Sequence, residues 1–123
     1  MDTLKELNKC NALRNLEWDS DNKLDMSFFG NELGGECGEA QNIVKKLERE
    51  RLGIRGSRAT PSDLMKELAD VVIVADLLAQ RVGGDLSRAI REKFNETSRK
   101  NNLTIFMELE PGNYPHSDRG WQP

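Results

Sequence analysis

Apolar positions recur at helical spacing through four segments of the chain. Leu4, Leu7, Cys10, Leu13 and Leu16 fall at successive threes and predict a helix of about four turns, with Asp2 or Thr3 able to cap its start. The polar run Glu17-Trp18-Asp19-Ser20-Asp21-Asn22 predicts a turn, because short Asp, Ser and Asn side chains compete for backbone hydrogen bonds. From about Met26 a second helix is predicted, with Phe29, Leu33, Ala40, Ile43, Val44 and Leu47 on its apolar face. Lys45, Lys46, Glu48, Arg49, Glu50 and Arg51 lie mostly outside that face, and Gly53 suits the residue after the helix end. Thr60-Pro61-Ser62-Asp63 marks the next start: an N-cap threonine, proline at the first helical position and an acid at the third. That helix should cover 61–82 and end at Gly83-Gly84. Its apolar arc from Leu64 to Leu78 is wide enough to predict the most buried element of the fold. Asp85 caps a fourth helix over 86–100, with Leu86, Ala89, Ile90, Phe94 and Thr97 expected inward and a basic outer face.

Periodicity is lost after residue 103. Residues 103–109 are expected as a short strand or an extended packed segment, and 110–123 as a proline-containing tail. The division is therefore a helical domain over 1–102 and a C-terminal extension over 103–123. Gly30, Gly34, Gly35 and Gly38 disturb the second helix, since each glycine weakens a helix by roughly 0.5–1 kcal/mol relative to alanine. Close approach of another backbone or a ligand would explain them, and a helix break near Gly34-Gly35 is the alternative.

Composition narrows the picture. A chain of 123 residues with 37% hydrophobic content supports one domain with a modest core, so self-association is expected to bury more area. The 32% charged residues and scarce aromatics suit amphipathic helices, and the class is all-α. A net charge of −3 argues against a general nucleic-acid binder. No segment approaches the roughly 20 apolar residues of a membrane span, and no signal-like start is present. Two cysteines, one of them amid acids, argue against a disulfide framework and for a reducing cytoplasm.

The chemistry concentrates in two acid pairs, Glu36-Cys37-Gly38-Glu39 and Glu67-Leu68-Ala69-Asp70. Residues three apart share a helix face, so neighbouring helices would bring four carboxylates into one small volume, which needs a cation or a proton between them. Carboxylates without usable histidine select hard ions, Mg²⁺ or Mn²⁺, and four acids can neutralise two or more of them. The single histidine, His116, lies in the tail. Such a cluster serves phosphoryl chemistry, with direct attack by water the simplest route where no nucleophile is paired with a base. The Gly53 to Thr60 loop, with Arg55 and Arg58, has donors suited to phosphate oxygens.

Glu-x-x-Glu followed by Glu-x-x-Asp resembles the MazG-like family of all-α nucleoside triphosphate pyrophosphohydrolases. The local strings are Asn31-Glu32-Leu33-Gly34-Gly35-Glu36-Cys37-Gly38-Glu39-Ala40 and Lys66-Glu67-Leu68-Ala69-Asp70-Val71-Val72. Lys45-Lys46-Leu47-Glu48-Arg49-Glu50, the Gly56-Ser57-Arg58-Ala59-Thr60 loop and Lys93-Phe94-Asn95 also resemble compact, often phage-borne members, so the resemblance runs from about Asn11 to Lys100. It implies a four-helix MazG-like bundle, assembled by helix packing between subunits into a dimer or a dimer of dimers. It further implies hydrolysis of a (deoxy)nucleoside triphosphate to the monophosphate and pyrophosphate, in a bacterial or phage-infected host cytoplasm.

Carried onto this chain, the resemblance makes Glu36, Glu39, Glu67 and Asp70 the catalytic metal ligands, with Glu32 as a further ligand or supporting acid. Lys46, Arg58 and Lys93 become phosphate contacts, and Asn11, Asn15 and Trp18 base contacts. Some phage-borne relatives act on guanine nucleotides, and the short first helix with Trp18 suits a purine, which leans the substrate toward (d)GTP. The competing expectations are an inactive helical assembly module, its acids paired with lysines and arginines, and a nucleic-acid-binding module using Arg55, Arg58 and the basic last helix.

Overall fold

A computed structural model describes residues 2–56 and 58–109. Among these, the regular structure is helical: α1 Thr3–Trp18, α2 Met26–Arg51, α3 Pro61–Arg81 and α4 Leu86–Lys100. The all-α expectation holds. The tail calls on residues 110–123, including His116, lie outside the described residues.

Each helix starts on a side-chain cap. Asp2, Asp25 and Asp85 accept from the backbone N–H three residues on, at 2.9, 2.9 and 3.1 Å. At α3, Thr60 Oγ1 accepts from Asp63 N at 3.2 Å while the Asp63 carboxylate accepts from Thr60 N at 2.8 Å, completing the capping box legible in the sequence. Gly53 and Gly83 follow the ends of α2 and α3 with φ of 70° and 73°, a conformation that a Cβ would strain.

The central element is α3. It pairs along much of its length with α2 and also contacts α1 and α4, whereas the backbones of α1 and α2 nowhere come within 8 Å of each other, Cα to Cα. A groove therefore opens between α1 and α2, floored by α3. Phe29, Ala40 and Val74 form the buried apolar centre, with Ala59 under the α2–α3 connection. Glu50 Oε1 accepts from Ala59 N at 3.1 Å and fixes the turn that sends α3 back along α2.

Three sequence expectations change. α2 runs unbroken through its glycines, and a Cβ at Gly30, Gly34, Gly35 or Gly38 would meet nothing within 4 Å, so no close approach inside this protomer explains them. α3, expected as the most buried element, is the helix that the other three pack on, yet its apolar arc is not wholly covered: Leu68 and Val72 are each 43% exposed on the side those helices leave open. On α4 the burial is displaced from the apolar face, with Asn95 and Ser98 buried while Phe94 is 44% exposed. The cause is the extended segment 103–109, which returns along α4 without forming a strand. Asn95 donates to Met107 O at 2.9 Å and accepts from Met107 N at 2.7 Å, and Ser98 Oγ donates to Ile105 O at 2.7 Å.

Candidate metal centre and adjoining cavity

Antiparallel pairing of α2 and α3 sets Glu36 and Glu39 opposite Asp70 and Glu67. The i, i+3 spacing on each helix turns both members of a pair toward the shared seam. Glu36, Glu67 and Asp70 each place a carboxylate oxygen so that the three lie within 4.8 Å of one another, an arrangement that can hold a metal ion. The fourth acid, Glu39, stands outside that trio but adjoins it, since it raises the carboxyls of both Glu36 and Glu67.

This cluster is electrostatically unrelieved. Among the described residues, no ion pair involves any of the four acids. Glu36 Oε2 and Glu67 Oε2 are buried with no hydrogen-bond partner, which is costly for a carboxylate oxygen. The Glu36 carboxyl is held above its ordinary range, chiefly by loss of solvent and then by the charges of Glu39, Asp70 and Glu67. The Glu67 carboxyl is also raised, first by its contact with Glu39, then by loss of solvent and by neighbouring acids. Orphaned carboxylate oxygens converging from two helices fit a hard divalent cation, which would supply the missing partner.

Glu36 and Asp70 have a second neighbourhood. With Glu32 they form one end of a cavity of about 480 Å³ in the groove between α1 and α2. Ile73, Val74 and Leu77 of α3 floor it; Asn11, Arg14, Asn15 and Trp18 form the α1 wall; Phe28 and Phe29 face them from α2. The residues read as base contacts from the sequence therefore converge with the acids. Trp18 is 78% exposed at the rim, Asn15 is half-buried, and Asn11 is buried, its amide bonded to α3. Glu32 joins the cavity wall and stands outside the three-acid cluster.

The three cationic residues are placed differently. Lys46 lies further along the α2–α3 seam, beside the start of α3. The Asp63 carboxyl there is lowered first by the N–H of Thr60 and then by its hydroxyl, with smaller help from the charges of Lys66 and Lys46. Arg58 belongs to the loop that closes the far end of the pair, where it lines a hollow with Glu50, Arg55 and Gly56. By helix rise that end is roughly 10–16 Å from the acids. Lys93 is on α4, paired with Glu96 at 3.2 Å, and α4 has no contact with α2. Within one protomer, Lys93 is not brought to the acids.

Arg14, Phe28 and Leu77 are cavity residues that sequence reasoning passed over. The signal for Arg14 was present: it lies three residues after Asn11 and four before Trp18, on the face those residues define. Compared with protein-family models, curated proteins and solved structures, the chain finds no match.

Proposed function

We propose that the protein is a Mg²⁺-dependent nucleoside triphosphate pyrophosphohydrolase, with Mn²⁺ able to substitute, that cleaves a (deoxy)nucleoside triphosphate to the monophosphate and pyrophosphate. The observation that carries this reading is that Glu36 and Asp70 belong at once to an unrelieved acid cluster and to the wall of a cavity lined by aromatic and amide side chains. A ligand with a planar ring at one end and phosphates at the other fits that sequence of surfaces. Trp18 and Phe28 offer ring faces, Asn11 and Asn15 offer amides, and beyond the acids the seam continues to Lys46.

Bound divalent ions, two or more across the four acids, would neutralise phosphate oxygens and ease deprotonation of the attacking water. The protein's own contribution is positional. Glu36, Glu39, Glu67 and Asp70 hold the ions, and one of them also orients the attacking water or takes its proton. Lys46 steadies the phosphates that leave. Arg14 is the one cation lining the cavity and has no partner among the described residues; its guanidinium suits the acceptor edge of guanine, in keeping with a lean to (d)GTP. The uncovered side of α3 and the exposed Phe94 support a homo-oligomer, a dimer or a dimer of dimers. Lys93 then contacts phosphate only if a neighbouring protomer presents it, whereas Arg58, in the loop at the far end of the seam, remains a phosphate contact for the extended triphosphate.

Product analysis across the eight common NTPs and dNTPs with Mg²⁺ tests the reading. Monophosphate and pyrophosphate in equal amounts, with guanine nucleotides preferred, are the expected products. Diphosphate and phosphate would assign cleavage to the wrong bond, and a pyrimidine preference of about tenfold would overturn the guanine assignment.

A further inference from the structure

Asp76 stands apart from the metal cluster, yet it is the one fully buried acid among the described residues, at 2% exposure. Its two oxygens accept from three amides: Asn8 Nδ2 at 3.3 Å on one, and Asn11 Nδ2 at 2.9 Å and Gln80 Nε2 at 2.8 Å on the other. Gln80 also donates to the backbone carbonyl of Asn8 at 2.9 Å, so the network ties α1 to α3. Asn11 Nδ2 has a second acceptor, the carbonyl of Ile73, at 3.1 Å.

These contacts decide which way the Asn11 amide faces. A carboxylate and a backbone carbonyl both accept, so the amide nitrogen must face α3 and the carbonyl oxygen must turn from it. Asn11 is 1% exposed and lines the cavity, and among the described residues nothing donates to its oxygen. That oxygen is not one of the enclosed atoms left without a partner, so it is open to solvent or to whatever fills that space, and it can only accept.

We infer that Asp76 is a positioning residue that sets the hydrogen-bonding sense of the cavity: it locks Asn11 as an acceptor, so the cavity selects a nucleobase edge that carries an N–H donor. The inference rests on the nucleotide reading above. An asparagine at position 76 would offer a donor where the carboxylate can only accept, leaving the carbonyl of Ile73 as the group that still requires the Asn11 NH₂ to face α3, so the preference should weaken without vanishing.

The test compares two mononucleotides by calorimetry with Mg²⁺ present: dGMP, and the 5′-monophosphate of purine 2′-deoxyriboside. The second keeps the ring size and phosphate but has no N–H on its pairing edge. Wild-type protein should bind dGMP tighter by about tenfold or more, since the donor-less ring leaves Asn11 unpaired. Asn11→Leu, checked for native helicity, should bring that ratio below about threefold, and Asp76→Asn, checked in the same way, should lower it by a smaller factor. Equal affinities in the wild-type protein, which needs no variant to fold, overturn the inference. So does a folded Asp76→Asn protein that keeps the full preference. If both nucleotides bind equally, only the assignment to Asn11 and Asp76 fails; if neither binds, the nucleotide reading fails and takes this one with it.

Discussion

At the scale of single residues, the site combines carboxyls that oppose the fold with carboxyls that support it. Glu36 and Glu67 have raised folded-state values, so their favourable contribution is complete below the ordinary carboxylate range and is lost as pH rises through the raised value. At neutral pH without metal, each therefore works against the fold. Glu36→Gln should raise the metal-free melting temperature at pH 7, the difference from wild type should shrink as pH falls toward 4, and the Mg²⁺-induced rise seen in wild type should be largely absent from the variant. A thermal melt series against pH, with and without Mg²⁺, checks all three. Asp19 has the opposite sign. Its carboxylate accepts from Leu24 N at 2.7 Å and Lys23 N at 2.9 Å, which lowers its value, so its support is present above the ordinary range and is lost as pH falls through the lowered one. Asp19→Asn should flatten the acid limb of the stability profile.

At the scale of elements, the helix starts and the acid seam were legible because their signals are local. Asp2, Thr60 and Asp85 announce their caps within four residues, and two i, i+3 acid pairs joined by a short loop need only antiparallel pairing to meet. The burial of α4 was not legible. Periodicity turned Phe94 inward, and nothing in the spacing shows that segment 103–109 comes back to bond Asn95 and Ser98. Asp76 was hidden for the same reason: two of its three amide partners lie more than sixty residues away in sequence. The placement of Lys93 depended on which helices touch, which one helix's pattern does not encode. The glycines of α2 yield a prediction of definite sign. With open space at Gly34, Gly34→Ala should stabilise the protomer by about 0.5–1 kcal/mol in urea unfolding. A loss of stability instead would place a second chain against that face of α2.

For the whole molecule, the architecture is a long antiparallel pair, α2 and α3, with α1 and α4 packed on α3 and a groove left between α1 and α2. One end of that groove is apolar and aromatic, the middle is acidic, and the seam continues toward lysine. The apolar side of α3 around Leu68 and Val72 is uncovered, and the homo-oligomer proposed above would bury it. Leu68→Glu should therefore shift the protein to a smaller species in light scattering at micromolar concentration; an unchanged mass would move the contact elsewhere. The central claim, that the acid cluster is a metal centre turning over a nucleoside triphosphate, is tested most directly by the Mg²⁺ dependence of pyrophosphate release from dGTP, measured for wild type, Glu67→Gln and Asp70→Asn. Metal-dependent turnover in the wild type that falls by about 100-fold or more in both variants is the expected result; release that needs no divalent ion, or that survives both substitutions, would contradict it.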